Sequence, residues 1–221
     1  MSNIKNIFLR EVRSYFNSPM AYIFLVIFVI VNSFFFTNIF FKVNQSDLRT
    51  LFNIIPLVYL FFIPAICMSL IAKEKNSGTM EVLSTYPITD IELVIGKFLS
   101  AIFLIFVGLL FTLVQFFTLI QTGTDIDYGV VFTGYLGLLL LGSVYSSIGI
   151  FASSISNDQI VAFIISVFIV LIFYLMDKTI LLFTPSFMAS FIQYLAVDYH
   201  LTNISRGVID SRNIIYFFSV I

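Results

Sequence analysis

This chain of 221 residues is 60% hydrophobic and 10% charged, with 28 Phe and a formal net charge of −1. A soluble domain carries about 25% charged residues, and no core built from 221 residues hides this much apolar surface, so the solvent of the chain is lipid. The charge balance argues against nucleic acid as a partner. The lone Cys67 leaves no intrachain disulfide, and the lone His200, far from it in sequence, leaves no convincing zinc or thiol-protease site.

In chain order, the first 19 residues differ from the rest of the protein. Ile4, Ile7, Phe8, Val12, Tyr15 and Phe16 fall on one helical face, with Asn6, Arg10, Arg13 and Ser14 opposite. That pattern predicts an amphipathic helix lying at the membrane surface. Glu11 intrudes on its apolar face. Asn17, Ser18 and Pro19 end it. The apolar run behind it is too long for a signal peptide and has no small-residue cleavage site.

Five uncharged runs approach the roughly 20 residues a spanning helix needs: Met20–Phe41, Leu51–Ala72, Phe98–Ile120, Val130–Ala152 and Ile160–Met176. A sixth begins near Ile214, and its residues to Ile221 rise only about 12 Å as a helix. It is read as a truncated sixth span, the alternative being a segment lying at the interface. Lys5, Arg10, Arg13, Lys73, Lys75 and Lys97 fall on one side of this topology, and Lys42, Arg49, Lys178, Arg206 and Arg212 on the other. The small excess puts the N-terminus inside.

Local signals add detail. Thr89 with Glu92 makes a capping box, and Ser156 with Gln159 predicts another. Pro87 marks a break before the first box, and Pro56 and Pro64 predict kinks in the second span. Gly142, Ser143, Ser146, Ser147, Gly149 and Ser153 form small-xxx-small pairs on the fourth span. Packing within one subunit is the favoured reading of them, ahead of a dimer face. Asn32, Asn38, Asn53 and Gln115 either line a path or make helix–helix hydrogen bonds; the second is favoured.

What is missing narrows function. The five runs hold no Asp, Glu, Lys, Arg or His, so a proton or ion relay of the usual kind is disfavoured, although sodium sites made of carbonyls stay open. There is no G-x-x-x-x-G-K-[ST] loop, so the chain is not expected to hydrolyse ATP. Gly96-Lys97-Phe98 is only a fragment of that pattern.

The longest polar, charge-bearing segment on the inner side is Ala72–Lys97. Within it Glu74, Gly78, Thr79, Glu81, Leu83, Pro87, Gly96 and Lys97 together resemble the E-x-x-x-G-T-x-E-x-L-x-x-x-P…G-K signature of ABC-2 type permeases. The stretch Glu11-Val12-Arg13-Ser14-Tyr15-Phe16-Asn17-Ser18-Pro19-Met20-Ala21-Tyr22 resembles one branch of that family. So does Ile204-Ser205-Arg206-Gly207-Val208-Ile209-Asp210 with Tyr216-Phe217. The branch is the gliding-motility-associated permease subunit, with the nitrous-oxide-reductase maturation permease close by. Ser69 and Lys73 depart from its usual residues.

The resemblance implies an all-α integral membrane protein, with an ABC-2 type six-helix transmembrane domain over residues 1–221. Within it lie an N-terminal amphipathic helix (1–19), a cytoplasmic coupling region (72–97) and an external segment (184–213) with short re-entrant helices. A short helix around Gly78–Thr85 passes the motion of an ATPase to the second and third spans. Glu74 and Glu81, which composition alone would place on a solvated loop face, become coupling residues together with the rest of the signature. The working unit implied is two permeases, identical or paralogous, with two ABC ATPase subunits in a bacterial inner membrane. The chain itself is then no enzyme and binds no cofactor or metal; ATP-Mg belongs to the partner ATPase. In the external segment Phe187, Phe191, Tyr194, Leu195 and Tyr199 form either a gate or an interfacial aromatic belt. An ion-coupled secondary transporter and a non-transporting scaffold of an assembly complex are the rival classes.

Overall fold

A computed structural model describes residues 2–43, 49–122, 127–176, 194–207 and 210–221. Among these the regular structure is helical: α1 (Ser2–Asn17), α2 (Pro19–Val43), α3 (Arg49–Cys67), α4 (Ala72–Asn76), α5 (Thr79–Ser84), α6 (Asp90–Thr122), α7 (Tyr128–Ile155), α8 (Gln159–Leu175), α9 (Val197–Ile204) and α10 (Ser211–Val220). Only helices or closed barrels satisfy every backbone N–H and C=O in hydrocarbon, so apolar runs of this length become helices.

Among the described residues, four stretches are long and apolar enough to cross a membrane: Ala21–Asn38, Leu51–Asn76, Asp90–Gln121 and Tyr128–Ile155. The fifth run forms α8, an apolar helix 17 residues long. The sixth lies in the ten residues of α10. Helix α6, with 33 residues, rises about 50 Å against a hydrocarbon core of about 30 Å. Its polar first turn, Asp90 to Glu92, therefore has length to stand clear of lipid.

Exposed apolar side chains form stripes at helical spacing. Ile23, Ile27, Ile30 and Phe34 line one side of α2; Phe106, Leu110, Val114 and Phe117 line α6; Ile160, Ile164, Phe168 and Ile172 line α8. In water such stripes would be liabilities. Against acyl chains they are the expected outer surface.

Helix α7 occupies the centre, packed on α3, α6 and α8. Its small residues permit the approach. A Cβ on Gly149 would lie 2.6 Å from the Cys67 Cβ, and one on Gly142 3.1 Å from Ile105 Cγ2. At these two positions the small-xxx-small stripe serves packing within the chain. Gln115 Nε2 donates to Ser33 Oγ across α6 and α2 at 3.1 Å. Asn32 and Asn38 instead donate to carbonyls of their own helix, Phe28 O at 2.7 Å and Phe34 O at 2.9 Å, so for these two the expected helix–helix bond is replaced by an i−4 bond. Asn53 is exposed.

Two local expectations separate. The Thr89–Glu92 box forms, Thr89 N donating to Glu92 Oε2 at 3.2 Å and Glu92 N to Thr89 Oγ1 at 3.3 Å. The Ser156–Gln159 box does not. Ser156 ends α7, its hydroxyl donating to Ala152 O at 3.0 Å, and Asp158 caps α8 by accepting from Ile160 N at 2.7 Å. An ionised carboxylate is a stronger acceptor than a hydroxyl, and it stands one position before the helix.

Thr184, Phe187 and Phe191 of the expected external segment lie outside the described residues. Further on, His200 is buried, its ring stacked on Tyr216 with centroids 4.0 Å apart. Its Nε2 is 2.9 Å from Tyr194 O and its Nδ1 2.8 Å from Asn213 Oδ1, so this histidine ties α9 to α10. No cluster of three or more metal-ligating side chains occurs among the described residues.

Candidate functional site

The apolar face of α1 packs along α6, because both present apolar stripes and α6 has a glycine where they cross. A Cβ on Gly96 would lie 2.7 Å from Ile7 Cγ2 and 2.9 Å from its Cβ. Glu11 then has a reason to sit on the apolar face: it points at Lys97, one position past that glycine.

Lys97 is 1% exposed. Its Nζ lies 3.1 Å from Glu11 Oε1 and 2.9 Å from Glu74 Oε2, and donates to Leu70 O at 2.6 Å. Arg10 closes the group from outside, its guanidinium 2.7 Å from Glu74 Oε1 and 3.3 Å from Glu11 Oε1. A buried ammonium is tolerated only when paired and hydrogen-bonded. Here two carboxylates and a carbonyl meet it, and a second cation balances the second carboxylate. A polar groove of about 290 Å³ opens beside the cluster, lined among others by Arg10, Ser14, Ser69, Lys73, Glu74 and Gln159. Helix α1, the 68–97 stretch and the α7–α8 turn therefore share one end of the bundle.

The second apolar run is interrupted at this end. Helix α3 stops at Cys67, three residues after Pro64, and α4 begins only at Ala72. A turn then joins α4 to α5. Gly78 takes φ +68° there, a conformation glycine adopts without steric cost. The Thr79 hydroxyl donates to Glu74 O at 3.3 Å and shares a hydrogen bond with Ser77 Oγ at 2.9 Å. On α5, Glu81 is exposed and Leu83 half-buried. Pro87 is exposed, and its carbonyl accepts from Asn3 Nδ2 at 3.5 Å. The same Asn3 donates to Glu92 Oε2 at 3.2 Å, so α1 is pinned at both ends of its run along α6.

Of the eight residues singled out in the sequence, Glu74 and Lys97 meet directly. Gly96 makes room for α1, Gly78 and Thr79 shape the turn, and Pro87 touches α1. Glu81 and Leu83 lie on α5, the first exposed and the second half-buried. Three participants were missed. Arg10 reads as part of the polar face of α1, Glu11 as an intrusion on its apolar face, and Ser153 as one small residue among several. Ser153 Oγ in fact receives Ile71 N at 3.1 Å and Ala72 N at 2.9 Å, and donates to Met68 O at 3.0 Å. A buried hydroxyl ending a small-residue stripe was the available signal, but nothing local pairs it with residues so far away in sequence.

No nucleophile with a base stands in this cluster. Its chemistry is that of a joint: opposite charges and carbonyls hold three helices in register. A family model described as "ABC-2 family transporter protein" matches residues 5–208, which include the whole joint. The chain therefore belongs to the ABC-2 family of transporters and is a multi-pass membrane protein. A comparison with curated proteins finds no match.

Proposed function

We propose that the chain is the membrane-spanning subunit of an ATP-driven transporter in a bacterial inner membrane, working as a pair of permeases with two separate ATPase subunits. The family membership supports a transport role. The Ala72–Lys97 segment is the coupling region in this reading. The observation that carries it is the division of labour within that segment. Glu74 is anchored through Lys97 to α6 and through Arg10 to α1, while α5 presents Glu81 at the surface. A lever needs one end held by the spans and another end outside them. ATP-Mg is bound by the partner. The resemblance of residues 11–22 and 204–210 to the gliding-motility branch supports assignment there.

The test is reconstitution with an ATPase encoded beside this chain. Transport in vesicles should follow ATP and persist when ion gradients are collapsed. Transport that tracks an ion gradient without ATP defeats the reading. Co-purification with an ATPase whose hydrolysis never changes favours a scaffold instead.

A further inference from the structure

Four serines of α7 show what the fifth does differently. Ser143, Ser146, Ser147 and Ser154 donate to carbonyls of their own helix, at 2.9, 2.8, 2.8 and 2.7 Å, the usual resting place of a hydroxyl in a helix. Ser153 spends all its hydrogen-bonding capacity on another span. The break after α3 leaves the N–H groups of Ile71 and Ala72 and the carbonyl of Met68 outside regular helical pairing. One hydroxyl, with one proton and two lone pairs, meets all three, and the residue is fully buried. One turn further along α4, the Lys75 ammonium donates to the Ser154 carbonyl. One turn back along α7, Gly149 presses on Cys67 at a distance that admits no side chain. Leu70 O, inside the same break, is held by Lys97.

We infer that Ser153 is a positioning residue that makes α4 and this end of α7 one mechanical unit, so that displacement of α4–α5 is delivered to the fourth span as well as to the third. This rests on the reading of α4–α5 as the element an ATPase moves. A hydroxyl that merely satisfied the kink could have come from the broken span itself. This one bridges two spans, and Lys75 doubles the bridge from the other side.

Spin labels at Ser77→Cys and Ile155→Cys, in a Cys67→Ser background, report the α4–α7 separation by double electron–electron resonance. Without any ATPase, the parent protein should give one narrow distance distribution. Ser153→Ala should broaden it. Lys75→Met, which empties no buried site, should broaden it less, and it carries the measurement if Ser153→Ala fails to insert. With the ATPase bound, Ser153→Ala should keep docking affinity within twofold yet lower permease-stimulated ATP hydrolysis at least fivefold. Ser153→Cys, of similar volume and weaker hydrogen bonding, should fall between. A broad distribution in the parent, or one unchanged by both Ser153→Ala and Lys75→Met, overturns the clasp whatever the ATPase does. Broadening with hydrolysis intact overturns its part in transmission. An ATPase that neither docks on the parent nor responds to it overturns the coupling reading and transmission with it, while the distance measurement still decides the clasp.

Discussion

Glu74 Oε2 lies 2.9 Å from the Nζ of Lys97, a lysine with 1% of its side chain exposed. The pair joins the first turn after the break in the second span to the second turn of α6. Glu11 and Arg10 on α1 complete it, and Glu11 is the position where the amphipathic pattern is broken in the sequence.

Removing the buried cation should be the most damaging change. Lys97→Met leaves Glu11 and Glu74, 13% and 14% exposed, with only Arg10 between them. Breaking a buried pair by deleting one partner costs about 3–5 kcal/mol. Glu74→Gln leaves Lys97 paired with Glu11 and Leu70 O, so the loss should be nearer the about 1.5–3 kcal/mol of a hydrogen bond to a charged group. Thermal unfolding of the solubilised protein ranks the two. An equal or reversed order contradicts the geometry.

The crossing of α1 over α6 should be sensitive to one methyl. Gly96→Ala places a Cβ 2.7 Å from Ile7 Cγ2 and must push α1 off or force Ile7 from its rotamer, at about 1–3 kcal/mol. Ile7→Ala in the same chain should recover most of the loss. Protease cutting rates within α1 give the readout, and absence of rescue would show that the contact does not set the crossing.

Gly78 separates strain from crowding. Nothing lies within 4 Å of a Cβ built there, yet φ is +68°. Gly78→Ala should therefore cost about 1–2 kcal/mol from the left-handed backbone alone, and Gly78→Asn less, since asparagine tolerates that region. If Ala and Asn behave alike in unfolding measurements, the turn has relaxed away from this conformation.

Coupling and folding should come apart at Glu81 and Glu92. Glu81 is exposed, and surface substitutions usually stay within about 0.5 kcal/mol. Glu81→Ala should insert and express normally while losing ATPase docking or stimulated hydrolysis. Glu92→Ala removes half a capping box and also the Asn3 contact, so it should loosen the start of α1 as well as α6. Hydrogen exchange over residues 2–8 detects that. Full transport and full ATPase binding by Glu81→Ala would refute the role given to this residue.

The sequence by itself determined the helices. Apolar runs near spanning length become helical because lipid offers the backbone no other partner. The α1 pattern, its end at Asn17 and the Thr89–Glu92 box are also local, each set by side chains a few residues apart. Where two local caps competed, at Ser156 and Asp158, pattern reading chose the wrong one. The joint itself was not legible. Glu11 becomes a ligand of Lys97 only once α1 lies across Gly96, and Ser153 becomes a clasp only once α7 stands against the broken end of α3. Both depend on the register and crossing of helices far apart in the chain. Hydropathy shows which runs enter the membrane, but only packing decides which backbone or charge a side chain meets.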